Sequence, residues 1–189
     1  MSAVQGSEPQ LRVVLVTGAG GGIGKAVARR FAAEPGTRLV LADLRPEPLQ
    51  ELADELAASQ PLLWSGDLTS EDAVRDLFRK LLDAYRRLDV VVNSAGVLRK
   101  TPFQQISKAE WDQVLNANAG SAFLVCREAC EPMRRQGSGR IINFASIAAQ
   151  VGGILSGAHY AASKAAVISL TRSVAKLLAP HGVRCNVLA

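Results

Sequence analysis

The chain has 189 residues, enough for one domain that buries a real core, and 48% of them are hydrophobic against 21% charged, a balance that excludes a disordered segment. No apolar stretch reaches the length of a membrane span, so no membrane partner is expected. The net charge of +5 comes from scattered Lys and Arg without an aromatic-interleaved basic cluster, which excludes nucleic acid. Cys126, Cys130 and Cys185 form no Cys-x-x-Cys pair and stand near no His cluster, arguing against a disulfide framework or a metal site and for a reducing, cytoplasmic setting. Residues 1–10 have neither a basic nor an apolar leader region and read as a flexible tail before a single domain, 11–189.

Val13-Val14-Leu15-Val16 is apolar without polar alternation, the pattern of a strand buried on both faces of a parallel sheet. It breaks at Thr17 into Gly18-Ala19-Gly20-Gly21-Gly22-Ile23-Gly24 and turns helical to about Ala33. Gly18 permits a sharp turn, Gly22 lets backbone approach a pyrophosphate and Gly24 lets the helix pack closely on the sheet, so no Cβ is expected to fit at these three. The helix start aims free N–H groups and its positive dipole end at the loop, a phosphate site built from Gly18, Gly20, Gly21, Gly22, Ile23 and Gly24 without a basic side chain. Lys25 is followed by Ala26, so this is no Walker motif.

After Glu34-Pro35-Gly36 a second strand, Arg38 to Ala42, ends at Asp43. An acidic residue about 20 positions beyond the glycines can accept both adenosine ribose hydroxyls and repel a 2′-phosphate, so NAD is expected rather than NADP; Leu44 belongs to the same site. Asp43 could instead cap the next helix, with Pro46 in its first turn, and Arg45 is close enough to neutralise it or to reach a phosphate. A helix through Leu49, Leu52, Leu56 and Ala57 leads to a third strand, Pro61 to Trp64, and to Gly66-Asp67-Leu68-Thr69, where Asp67 can bond an adenine amino group or brace the turn. A helix over 70–87 carries Ala73, Leu77, Leu81 and Ala84 on its apolar face. The fourth strand, Leu88 to Val92, ends in Asn93-Ser94-Ala95-Gly96, small residues that allow another close approach to a ligand. Strands alternating with helices give a doubly wound parallel α/β sheet with helices on both faces and a ligand cleft at the carboxyl ends of the strands.

Thr17-Gly-x-x-x-Gly-x-Gly24, Asp67, Asn93-Ser-Ala-Gly96, Ser146 and Tyr160-x-x-x-Lys164 follow one another in the order and on the elements that characterise one family. Over nearly its whole length the chain resembles the short-chain dehydrogenases/reductases, with their Rossmann-like fold. Read from Trp111-Asp112-Gln113-Val114, the resemblance puts an active-site asparagine at Asn118, on a long helix from about Lys108 to Arg135; Asn116 is read as exposed or bracing. A strand from Arg140 to Ala145 delivers Ser146. Gly152, Gly153 and Gly157 mark a flexible connection into the helix of Tyr160 and Lys164, and Val183 to Leu188 begins a sixth strand. Ile147, Val151, Ile154 and Leu155 are candidate substrate contacts. Family members continue past this strand into a segment that covers substrate and a last edge strand, so a chain stopping at Ala189 reads as a fragment or a shortened product of lower turnover.

Tyr160 and Lys164 are four apart and share a helical face, where the ammonium favours the phenolate. The resemblance implies that Tyr160 exchanges a proton with an alcohol or carbonyl substrate, Ser146 orients its oxygen, Lys164 bonds the nicotinamide ribose and Asn118 holds a water; the cofactor contacts then include Asn93, Ala95 and Gly96 together with Asp67 and Leu68. No metal is needed. The resemblance also implies a homo-oligomer paired through the helices of Asn118 and Tyr160. His159 and His181 have no partner that suggests a hydrolase triad. Two alternatives stay open: a reductase of carrier-bound 3-oxoacyl groups using NADPH, with Arg134, Arg135 and Lys176 as contributors to a docking patch, and a dinucleotide-binding module without turnover.

Overall fold

The computed structural model describes residues 11–153 and 156–189; the tail over 1–10 and the candidate contacts Ile154 and Leu155 lie outside them. Strands β1 (Arg12–Thr17), β2 (Thr37–Asp43), β3 (Leu62–Ser65), β4 (Val90–Asn93), β5 (Gly139–Phe144) and β6 (Val183–Leu188) form one parallel sheet in the order β3-β2-β1-β4-β5-β6. Between them run α1 (Gly22–Ala32), α2 (Pro46–Glu55), α3 (Glu71–Tyr85), α4 (Lys108–Leu115), α5 (Ser121–Gln136), the single turn α6 (Ala148–Val151) and α7 (Ala158–Leu178).

Successive strand side chains point to opposite faces, so the unalternating apolar runs fill two cores. Val14, Val16, Leu39, Leu41 and Val92 pack with Ala28, Leu49 and Leu52 of α1 and α2. Val13, Leu15, Val40, Val91 and Ile141 pack on the other face with Leu77 and Leu81 of α3, Val125 and Met133 of α5, and Val174 and Leu178 of α7. The chain is thus doubly wound, reversing direction between β1 and β4. At the amino end of the sheet, Asp89 accepts from the Val13 N–H at 2.7 Å, from Arg87 at 2.9 and 2.7 Å and from Gln136 at 3.1 Å. Burial pushes its carboxyl up, but the Arg87 guanidinium and the Val13 N–H outweigh that and hold it below the usual carboxylate range. This clamp fixes β4 against β1 and brings the carboxyl ends level, with Thr17 opposite Asn93 and Asn93 opposite Asn143.

Two local expectations are corrected, and one segment gains a feature. The buried face of α3 is Val74, Leu77, Phe78 and Leu81, while Ala84 is exposed, because the larger side chains turn the helix toward themselves. The long helix over 108–135 is interrupted by a π turn, Asn116–Gly120, whose extra residue leaves no trace in a 3.6-residue pattern. Asn116 is exposed, and its carboxamide occupies the place a Cβ of Gly120 would take. The connection after Ser146 first forms α6, started by the Ala148 N–H donating to Ser146 Oγ at 3.2 Å, and Ile147 and Val151 project into solvent.

Candidate active site

Gly18 turns the chain at φ +64°, and a Cβ on it would stand 2.7 Å from the backbone of Ala95, so the loops after β1 and β4 touch with no side chain between them. A Cβ on Gly24 would run into the Gly18 carbonyl oxygen: this glycine packs the helix against the loop rather than against the sheet. At Gly22 a Cβ would meet no protein atom within 4 Å, so the protein's own atoms exclude a Cβ at Gly18 and Gly24, and the room over Gly22 stays open to a ligand. Helix α1 opens at Gly21 with no side-chain cap and no acid in its first turn, leaving N–H groups for an anion, with Ile23 exposed beside them.

Asp43 clips this loop to the next one: Oδ2 accepts from the Gly20 N–H at 2.9 Å and Oδ1 from the Arg45 N–H at 3.2 Å. It does not cap α2, whose N-cap is Arg45 with Pro46 behind it. Asp67 braces its turn, Oδ1 accepting from the Thr69 N–H and from Thr69 Oγ1, both at 2.8 Å. A cleft of about 350 Å³ opens at the carboxyl ends of β1 to β4, bounded by Gly18, Gly21, Asp43, Asp67, Ala95 and Gly96 and reached also by Leu44, Leu68 and Arg45.

Behind the cleft the sheet is polar. Thr17 Oγ1, Asn93 and Asn143 form a buried ladder, Asn93 Nδ2 donating to Asn143 Oδ1 at 2.8 Å and Asn143 Nδ2 to Thr171 Oγ1 at 2.9 Å. Ser94 Oγ donates to the Thr17 carbonyl at 2.6 Å, closing the loop after β4 over β1. Cys126 lies against both asparagines, where contact with Cys185 and burial push its thiol up. Cys126 and Cys130 pack as core residues, as expected of a shared helical face.

Gly96 joins the cleft to the remaining site residues. A Cβ there would stand 2.6 Å from Asn118 Oδ1 and 3.5 Å from Lys164 Nζ. Asn118, in the π turn, accepts from the Val97 N–H at 2.7 Å and donates to the Val97 carbonyl at 3.0 Å and to Ser163 Oγ at 2.8 Å; Ser163 in turn donates to the Tyr160 carbonyl at 2.7 Å. Lys164 is 6% exposed, donates to the Phe144 carbonyl at 2.8 Å and lies 5.9 Å from the centre of the Tyr160 ring. Burial lowers its ammonium to about 8.

A family model described as short chain dehydrogenase matches residues 12–189. The chain belongs to the short-chain dehydrogenase family. Among curated relatives of this short-chain dehydrogenase, nodulation protein G of Rhizobium sp. is 38% identical over 178 residues, covering 94% of this chain and 71% of the relative. A 3-oxoacyl-[acyl-carrier-protein] reductase of Thermotoga maritima is 34% identical over 180 residues, 94% of this chain and 72% of the relative, and a 3beta-hydroxysteroid dehydrogenase of Mediterraneibacter gnavus is 37% identical over 179, 94% and 64%. The family uses nicotinamide dinucleotides, and the uncapped α1 terminus facing a glycine-lined cleft fits that class of cofactor. No described helix of this short-chain dehydrogenase is long and apolar enough to cross a membrane.

The structure draws the five motif groups to one end of the sheet. It adds residues that carried no sequence signal: Val97 and Ser163, which bind the Asn118 amide, and Ala117 and Ser121, which line the cleft. His159 also has a partner that no local spacing reveals, Glu110, 49 positions away.

Proposed function

We propose that this short-chain dehydrogenase transfers a hydride between NAD(H) and a secondary alcohol or ketone, with Tyr160 exchanging the proton. The observation that carries the reading is the placement of Lys164: a buried ammonium, fixed by the Phe144 carbonyl, beside Tyr160 and at the Gly96 edge of the cleft. One N–H of the ammonium is engaged, so two remain for the ribose, while its charge favours a phenolate on Tyr160. A nicotinamide dinucleotide held at the Gly96 edge by Lys164 would supply or accept the hydride. Ser146 donates to the substrate oxygen, its O–H proton being free while one of its two Oγ lone pairs accepts from the Ala148 N–H. Both N–H groups of the Asn118 amide are spent, on the Val97 carbonyl and on Ser163 Oγ, so a water on the proton path donates to an oxygen of Asn118.

For NAD, the support is Asp43. Each of its oxygens has one backbone partner, and a carboxylate has about four acceptor sites, so capacity remains for two ribose hydroxyls while the charge opposes a 2′-phosphate. Oxidation of a panel of secondary alcohols tests the reaction, and fluorescence titration with NADH and NADPH tests the cofactor: tighter NADH binding is expected, with the preference falling in Asp43→Asn, which keeps an acceptor for Gly20. Equal affinities would overturn the NAD assignment. A second reading, NADPH-driven reduction of carrier-bound 3-oxoacyl groups, draws on Arg45 at the cleft and on the Thermotoga relative; an NADPH preference that survives Asp43→Asn would favour it. Cofactor binding without turnover on either substrate class would leave a binding module.

We also propose homo-oligomer pairing through α5 and α7, supported by Phe123, half exposed under the Arg127 guanidinium at 5.7 Å, and size-exclusion chromatography reads it. The three free thiols support a reducing, cytoplasmic compartment.

A further inference from the structure

His159 is fully buried one residue before Tyr160. Its Nε2 lies 3.3 Å from Glu110 Oε1 on α4, and Thr101 Oγ1 donates to the same oxygen at 2.6 Å. The Thr101 hydroxyl, and behind it His159 and Arg99, hold the Glu110 carboxyl below the usual carboxylate range against the opposing effect of burial. An ionised carboxylate only accepts, so the shared proton sits on His159 Nε2, and the other ring nitrogen, Nδ1, has no partner among the described residues. The ring occupies room that Gly157 provides: at φ +68°, a Cβ on Gly157 would stand 2.5 Å from His159 Cε1 and 2.9 Å from the Arg99 carbonyl oxygen. The imidazole is therefore held between the start of α7, the stretch after β4 and α4.

That stretch has a second load. Val97 binds the Asn118 amide through both its N–H and its carbonyl, so the element bearing Asn118 is tied to residues 97–101 directly and the one bearing Tyr160 through Glu110 and Thr101. We propose that His159 is a positioning residue for Tyr160: its bond to Glu110 fixes the first turn of α7 against residues 97–101 and so sets the place of Tyr160 relative to Gly96 and Lys164. The inference rests on the reading of Tyr160 as the proton carrier. A displacement of about 1 Å in a reacting group reduces rate by up to about a hundredfold, whereas binding surfaces formed elsewhere are unaffected.

Two substitutions separate volume from the bond. His159→Phe keeps the ring and loses the donor, and His159→Gln keeps a donor near the Nε2 position. In steady-state oxidation of a secondary alcohol by NAD, the Phe variant is expected to lose about tenfold or more in kcat with KM for NAD within about twofold, and the Gln variant to recover to within about threefold of the parent. A Phe variant with parental kcat, or a Gln variant as slow as the Phe variant, overturns the proposal. Hydrogen exchange keeps the tie separate from the chemistry: residues 97–101 and 158–164 should exchange faster in the Phe variant and at the parental rate in the Gln variant. If the parent turns over no alcohol, the catalytic reading of Tyr160 has failed, and with it the catalytic consequence assigned to His159. Unchanged exchange in the Phe variant rejects the tie itself.

Discussion

Replacing Lys164 with Met should stabilise the protein at neutral pH and remove a pH dependence that the parent shows. Burial lowers the ammonium from 10.5 to about 8, so between those values the unfolded chain binds more protons than the folded one and stability rises with pH. At pH 7 the buried charge costs about 3 kcal/mol, since each tenfold loss of proton affinity is worth roughly 1.4 kcal/mol, and about 2.5 kcal/mol of this is relieved by pH 10. Met fills a similar volume without the charge but leaves the Phe144 carbonyl without its donor, a loss of about 1–2 kcal/mol. A net gain of about 1–2 kcal/mol at pH 7 is expected, together with loss of turnover. Urea unfolding at pH 7 and pH 10 reads both effects: the parent should gain on the variant by about 2.5 kcal/mol, or about 1 M in midpoint at an m near 2.5 kcal/mol/M. Parallel pH dependence in the two proteins would refute the assignment of the penalty to Lys164.

Tyr160→Phe should abolish alcohol oxidation while NADH affinity by fluorescence stays within about twofold, because only the proton-carrying hydroxyl is lost. Gly24→Ala should prevent a native loop, seen as a lowered Tm and lost NADH binding, whereas Gly22→Ala, with open space around its Cβ, should keep the parental Tm and lose NADH affinity alone. Asp89→Ala should reduce stability by about 2–3 kcal/mol in urea unfolding, since it leaves the Val13 N–H and Arg87 without their acceptor. With Asp89 intact, the contribution is present above about pH 3.8 and is lost as pH falls through its lower folded value, so the gap between parent and variant should narrow in acid.

The parallel sheet was legible because Val13 to Val16, Leu39 to Ala42 and Val90 to Val92 are apolar on both faces, which only a doubly covered sheet requires. The loop glycines were legible because Gly18 and Gly24 meet backbone, where no other residue fits. Less was visible at Asp43 and Asp67, whose bonds to Gly20 and Thr69 are properties of turns rather than of spacing. The π turn around Asn118 and the pairing of His159 with Glu110 were not visible at all. One depends on a single inserted residue and the other on the approach of α4 to α7, and neither leaves a periodic mark.

The reversal of strand order between β1 and β4 also decides when during folding the cleft can exist. Leu15 pairs with Val40 on one side and with Val91 on the other, closures of about 25 and about 75 residues that differ by about 1 kcal/mol in chain entropy. The first half-sheet, β1 to β3, can wind around near neighbours, but Gly18 meets Ala95 only after the longer closure. Cofactor affinity should consequently be the last property to return on refolding, trailing the recovery of far-ultraviolet circular dichroism, and a ligand added at that stage shifts the final equilibrium toward the closed cleft without hastening the closure itself.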